Sequence, residues 1–448
     1  MQGVLFSLGA GGLLPFAGCG PGRRSPGMSH GRRPNIVFII ADDLGWADLG
    51  YGGSAIRTPN IDRLAAGGVR LKQHYVMPTC TPTRVGLMTG RYPSRYGVLS
   101  PAYGQIFDEE TVTVAEALKR SGYQTVISGK WHMGSPPDCV PTKFGFTESY
   151  GYFDGQIDPY THLYKTGRQC WHRNDELITE EGHATDLITD EAVRVIRASG
   201  KQPLFLYVAY SVPHYPIDEP PEWLDMYADI EQESRRWYAA SVTHMDAGIG
   251  RIVEAIDKAG MRENTLIVFV SDNGAQKRWQ SATEYGGHYA DRPHTVLGDN
   301  RPLRGWKGDV FEGGIRVPGL ANWHGVLRPR QMDAPMHIVD WMPTLCRVAQ
   351  ADAPENLSWD GQDVWDVLSG AGELADQRRL YWKTPAAYAL RVGDYKLITN
   401  KEMARPMLFD LAADPLEENN LASEQPDRVE QMIDILMETA AADTQRVQ

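Results

Sequence analysis

The sequence has no excess of positive charge: 45 Lys and Arg face 57 Asp and Glu, for a formal net charge of −12. That balance argues against nucleic acid as the principal partner. It contains no run long and apolar enough to span a membrane as a helix; the apolar, glycine-rich stretch Val4 to Phe16 is too short. Internal repeats and low-complexity tracts are also missing, which excludes solenoid and disordered classes. Cysteine is scarce, five in 448 residues. Cys346, inside the helical pattern Met342–Val348, is expected to be buried and inert. Cys139 and Cys170 can pair in an oxidising compartment, but spacing alone does not decide it. What is present is an ordinary globular composition, 42% hydrophobic, with ample material for a large core. The length allows about three average domains, although large α/β units absorb more chain than that.

The start of the chain reads as a targeting segment. Val4 to Phe16 ends in Phe16-Ala17-Gly18-Cys19, a pattern similar to a lipoprotein cleavage box with Cys19 as the lipidated residue. A plain secretory signal is the alternative, and a true start at Met28 would remove the segment altogether. The first two predict an exported protein, periplasmic, cell-surface or secreted. Residues 20–33, rich in Gly, Pro and Arg, then form a tether. The expected organisation is a leader and tether over 1–33, a main domain over 34–350 and a C-terminal subdomain over 351–448.

Four apolar runs end in polar residues. Asn35–Ala41 stops at Asp42-Asp43, and Thr265–Ser271 stops at Asp272-Asn273. Gln124–Ser128 leads into Gly129-Lys130-Trp131-His132, and Leu204–Tyr210 leads into Pro213-His214. Continuous apolar runs of this length suit strands covered on both faces. Helical patterns precede or follow them: Pro59 to Gly67, Thr113 to Arg120, His183 to Ala198 and Ala239 to Ala259. The alternation predicts an α/β fold with a large, mostly parallel sheet between helices. Ligands of such sheets bind beyond the C-terminal strand ends, so four chemically useful ends predict one shared site. Further on, a helix is expected over 340–349. Short antiparallel strands should follow over 380–383, 388–398 (turning at Gly393-Asp394) and 407–411. A last helix would bury Val429, Met432, Ile433, Leu436 and Met437.

Asp42, Asp43, Asp272 and Asn273 are hard oxygen donors with neither His nor free Cys in the set, which favours Ca²⁺ or Mg²⁺ over zinc. Pro82 suits the first turn of a helix starting at Cys80, so Cys80 should sit where free backbone N–H groups favour an anion. His132 and His214 are natural proton carriers near working pH.

The stretch Cys80-Thr81-Pro82-Thr83-Arg84, continued to Thr89-Gly90-Arg91, resembles the C-x-P-x-R…T-G-R signature of the type I sulfatases. Four other segments agree: Gly129–His132, Val212–His214, Pro302–Gly308 with Glu312–Pro318, and Asp414-Pro415-Leu416-Glu417 through Leu421. The resemblance implies an alkaline-phosphatase-like fold and oxidation of Cys80 to formylglycine by a maturation enzyme. It also implies a divalent metal, usually calcium with Mg²⁺ possible, held by Asp42, Asp43, Asp272, Asn273 and the modified Cys80. Arg84 would bind the formylglycine hydroxyls or a metal ligand, and Lys130 a sulfate oxygen. His132 would be the base that releases sulfate; His214 and Lys307 would assist the departing oxygen. Motif details are most similar to the N-acetylgalactosamine-4-sulfatase (arylsulfatase B) group. Departures are Thr83, Met88, Tyr215 between His214 and Pro216, and the polar, aromatic stretch 276–300, expected to be a loop lining the pocket. The implied activity is hydrolysis of sulfate monoesters on a sulfated carbohydrate or another sulfate ester. Two alternatives stand beside it. One is a phosphonate monoester or phosphodiester hydrolase of the same superfamily; the other, with Cys80 unmodified, is a non-catalytic sulfated-glycan binder.

Overall fold

Strand β1, Asn35–Ala41, is buried along its whole length and lies in the middle of a ten-stranded sheet. Its parallel neighbours are β4 (Leu204–Ala209) and β5 (Thr265–Ser271); beyond β4 come β2 (Gln124–Lys130) and β3 (Glu148–Tyr152), also parallel. The computed structural model describes residues 32–444 except 135, 175, 279–284, 286–296, 352–356 and 376. The segment containing Cys19 and most of 276–300 therefore lie outside the described residues.

The long central strands are parallel, as expected, and short antiparallel strands flank them, so the sheet as a whole is mixed. Gly319–Asn322 runs antiparallel to β5 and Val69–Leu71 antiparallel to Gly319–Asn322; at the other side Trp171–Arg173 and Glu176–Leu177 add antiparallel pairings beyond β3. These flanking strands are two to four residues long. Too short to carry an alternating pattern, they escape sequence reading.

Period-two geometry divides β1 between two cores. Val37, Ile39 and Ala41 pack with α1 (Pro59–Ala66), α4 (Ala184–Ala198) and α5 (Glu233–Lys258). Phe38 faces the other way, its ring edge-on to Trp341 of α6 (Trp341–Ala349) at 5.5 Å. The helices α2 (Cys80–Thr89) and α3 (Val114–Arg120) lie between α1 and α4 in the chain.

That region is a four-stranded antiparallel meander, β6 (Arg379–Lys383), β7 (Ala387–Val392), β8 (Tyr395–Asn400) and β9 (Met407–Asp410), with Gly393 at φ 57° in the tight turn. Its inner face, with Trp382, Ile398 and Phe409, packs on Tyr75, Met77 and Ile315. On α7 (Pro426–Ala440) Val429, Met432 and Leu436 are buried, but Met437 is 52% exposed and Ile433 half-buried, because the buried stripe is narrower than expected. Cys139 and Cys170 are separate free thiols, as is Cys346. No helix among the described residues is long and apolar enough to cross a membrane.

Candidate active site

The register of β1 against β5 sets Ala41 opposite Ser271, so the residues that follow emerge side by side. Asp272 N–H donates to the Ala41 carbonyl at 3.1 Å, and Asp43 N–H to Asp272 Oδ1 at 3.2 Å. Asp43 takes a left-handed φ of 67°. Its Oδ1 accepts from Asn273 Nδ2 at 2.7 Å. The four oxygen-bearing side chains expected together are together.

Cys80 is the first residue of α2, behind the N-cap Thr79, and is 2% exposed. Thr83, the departure from the family pattern, has a local job. Its Oγ1 accepts from Met77 N–H at 3.0 Å and lies 3.2 Å from the Met77 carbonyl, fixing the turn that delivers Cys80. One turn on, Arg84 is fully buried beneath the site. Its Nη2 meets Asp272 Oδ2 at 2.8 Å, while Nη1 donates to the Lys130 carbonyl and the Tyr207 hydroxyl at 3.2 and 3.3 Å.

Two ammonium groups face the remaining carboxylates. Lys130 Nζ lies 2.5 Å from Asp42 Oδ2, and Lys307 Nζ lies 2.7 Å from Asp43 Oδ1. His214 Nδ1–H donates to the Tyr215 carbonyl at 2.5 Å, leaving Nε2 3.8 Å from Asp43 Oδ2. His132 does not continue the extended strand: its φ is +52°. Trp131, between it and Lys130, points away and donates to the Cys139 carbonyl. Both His132 ring nitrogens are buried with no hydrogen-bond partner.

These environments shift the ionisable groups in opposite directions. Burial pushes the Cys80 thiol up, despite Lys130 and Lys307 nearby. Burial opposes the Asp43 charge, yet Lys307 and His214 hold the carboxyl below its ordinary value. Asp272, buried and beside Asp42, is raised to about 6 despite Arg84. Burial, reinforced by the positive charge of Lys307, lowers His214 to about 3; burial with Lys130 and Arg84 lowers His132 as well.

Asp42 Oδ1 and Asn273 Oδ1 are buried and without a hydrogen-bond partner. Asp42, Asp43 and His214 offer ligand atoms within 4.8 Å of one another. The orphaned oxygens of Asp42 and Asn273, with the Asp43 carboxylate beside them, are hard donors that fit a divalent cation, and the structure adds the His214 ring nitrogen to the neighbourhood. Asp272 differs in that one of its oxygens is taken by Arg84 and the other by Asp43 N–H. A second group, His183, Asp186 and His244, also clusters. Both His183 nitrogens are engaged there, by Thr185 N–H and the Asp218 carbonyl, which makes it a poor metal ligand.

Cys80, His132, His214 and Lys307 open into one cleft of about 280 Å³. Two of its residues, Tyr103 and Gly155, carry no sequence signal. The Tyr103 ring lies 5.3 Å from that of His132, and Tyr215 stacks on His214 at 4.6 Å. Gly155 is packed so closely that a Cβ there would lie 2.5 Å from His132 Cε1. From the stretch 276–300, Gln276 lines the cleft.

Comparison with known proteins identifies the family. The sulfatase family profile matches residues 34–351. Mouse arylsulfatase J is 30% identical over 92% of this chain and 76% of its own length; human arylsulfatase A is 32% identical over 88% and 84%. The crystal structure of Ps i-CgsB in complex with k-i-k-neocarrahexaose superposes with a TM-score of 0.83 at 29% identity, covering 92% of this chain and 94% of that one. These relatives do not single out the arylsulfatase B group. The fold is the alkaline-phosphatase-like one expected, and the chain belongs to the sulfatase family of sulfuric ester hydrolases.

Proposed function

We propose that the protein hydrolyses sulfate monoesters of a sulfated carbohydrate, after export and after oxidation of Cys80 by a formylglycine-generating enzyme. The observation that carries this reading is the convergence of Cys80, Lys130, His132, His214 and Lys307 with Asp42, Asp43, Asp272 and Asn273. Its relative solved with neocarrahexaose supports a carbohydrate as the carrier of the ester.

Formylglycine at position 80 would supply the attacking oxygen, and a calcium or magnesium ion held by Asp42, Asp43, Asp272 and Asn273 would supply positive charge for the sulfuryl oxygens. The chain's own residues do the rest. The start of α2 directs backbone N–H groups at an anion held over Cys80. Lys130 offers its ammonium to a sulfate oxygen, and buried Arg84 holds Asp272 and the Lys130 carbonyl in register beneath it. Lys307 and the Nε2 face of His214 stand together on the Asp43 side, where the bridging oxygen departs and takes up a proton from the Lys307 ammonium. His132 has two free, buried ring nitrogens and accepts a proton beside Cys80 when sulfate is expelled. Charges fixed before the substrate arrives are the usual main source of such rate enhancement.

The test is sulfate release from N-acetylgalactosamine-4-sulfate and other sulfated oligosaccharides by calcium-loaded protein, with formylglycine verified by peptide mass. Release supports the reading. Turnover of phosphonate monoesters in preference to matched sulfates would replace it with phosphonate hydrolysis. Binding without turnover by an unmodified Cys80 protein would leave a glycan-binding role.

A further inference from the structure

The C-terminal segment Asp414-Pro415-Leu416-Glu417 lies far from Cys80 in sequence, yet its glutamate reaches the ends of the loop that carries Lys307. Glu417, Lys396 of β8 and Glu312 are all fully buried. Lys396 Nζ lies 2.9 Å from Glu312 Oε1 and 2.8 Å from Glu417 Oε1. Glu417 Oε2 accepts the Glu312 backbone N–H at 2.7 Å, and the Glu417 carbonyl accepts from Arg304 Nη1 at 2.7 Å.

Arg304 and Glu312 bracket the loop that presents Lys307. Within that loop Gly313 N–H donates back to the Arg304 carbonyl at 2.6 Å, and Trp306 N–H to Asp309 Oδ2 at 2.9 Å. Its tip is held from the other side: Lys307 N–H donates to the Ala275 carbonyl and Gly308 N–H to the Pro78 carbonyl. Glu312 has a second role, because its Oε2 accepts from the Tyr75 hydroxyl at 2.7 Å, five residues before Cys80. Glu417 is thus fixed to both ends of the Lys307 loop.

A plain adhesive contact between the C-terminal sheet and the main sheet would not need this residue. Glu417 takes a left-handed φ of 58°, a conformation that a residue with a Cβ adopts reluctantly. Glycine would relax the backbone but would lose the carboxylate that grips the Glu312 N–H and Lys396. The side chain, not the turn, accounts for a glutamate here.

We propose that Glu417, acting with Lys396, is a positioning residue for Lys307: the segment after the C-terminal sheet brings a buried carboxylate to the Glu312 end of the loop and sets the reach of the lysine that meets the departing oxygen. This rests on the assignment of Lys307 to that oxygen.

The experiment compares wild type, E417Q, E417A and K307A on aryl sulfates of graded leaving-group acidity and on a sugar sulfate. A slack Lys307 loop should resemble a mild loss of Lys307. Both Glu417 variants should lose about tenfold or more in kcat on the poorest leaving groups, little on nitrophenyl sulfate, and little in KM throughout. E417Q, which keeps an acceptor for the Glu312 N–H, should lose less than E417A. Equal losses across the series, or no loss, would overturn the proposal. Should E417A fail to fold, E417Q alone decides by the same criterion. A K307A enzyme whose loss ignores the leaving group would instead overturn the assignment of Lys307.

Discussion

Cys80 as a thiol is a poor reagent where it sits, since burial pushes it away from the thiolate. The Cys80→Ala protein should therefore keep its fold, with unfolding free energy within about 1 kcal/mol, and show no turnover. Retained sulfate release would end the formylglycine proposal. Asn273 is the place to test the proposed metal site apart from folding, because its Oδ1 has no protein partner and its Nδ2 donates to Asp43 Oδ1. Asn273→Ala should weaken calcium binding in a calorimetric titration by about tenfold or more while costing about 1 kcal/mol of stability. Unchanged calcium affinity would remove Asn273 from the ligand set. Gly155→Ala should push His132 aside and lower kcat by about a hundredfold, with the melting temperature little moved. Cys80, Lys130, His132, His214 and Lys307 could be read in advance because each sits in a short motif. Gly155 and Tyr103 could not: each is an ordinary residue type in an ordinary stretch, and only the fold brings it to the cleft.

The long central strands were legible because six or seven buried residues in a row leave a visible run, and their polar ends marked the candidate site. The flanking strands and the left-handed turn at His132 were not, since neither two-residue pairings nor backbone sign leave a sequence trace. One element-level contact carries a pH dependence. His244 of α5 donates from Nδ1 to Glu219 at 2.6 Å, and its Nε2 lies 3.4 Å from Asp186 of α4. This ties both helices to the segment leading from His214. Burial disfavours the imidazolium, but Asp186 and Glu219 outweigh it and raise the group to about 9. A raised folded value stabilises fully below the unfolded value of about 6.5 and is lost as pH climbs through 9. Melting temperatures from pH 6 to 10 should fall more for wild type than for His244→Gln; parallel curves would refute the contribution.

For the molecule as a whole, the small C-terminal sheet was foreseeable as strands and its Asp-Pro-x-Glu segment as a motif, but not its purpose. The chain gives no hint that residue 417 meets residue 312 until both are folded. The protein is acidic overall, at −12, yet the cleft itself is balanced. Asp42, Asp43 and Asp272 stand against Arg84, Lys130 and Lys307 in three buried pairs, so three negative charges meet three positive ones. The floor is electrically neutral before any ion arrives, and nothing in it has to unfold for want of a metal. A dication would turn that neutral floor into one carrying plus two, and an anion would then be drawn in. Ion and anion become linked ligands, each raising the other's affinity by the same factor. Inorganic sulfate should tighten calcium binding, calcium should strengthen inhibition by sulfate equally, and the product itself would keep the enzyme loaded between turnovers.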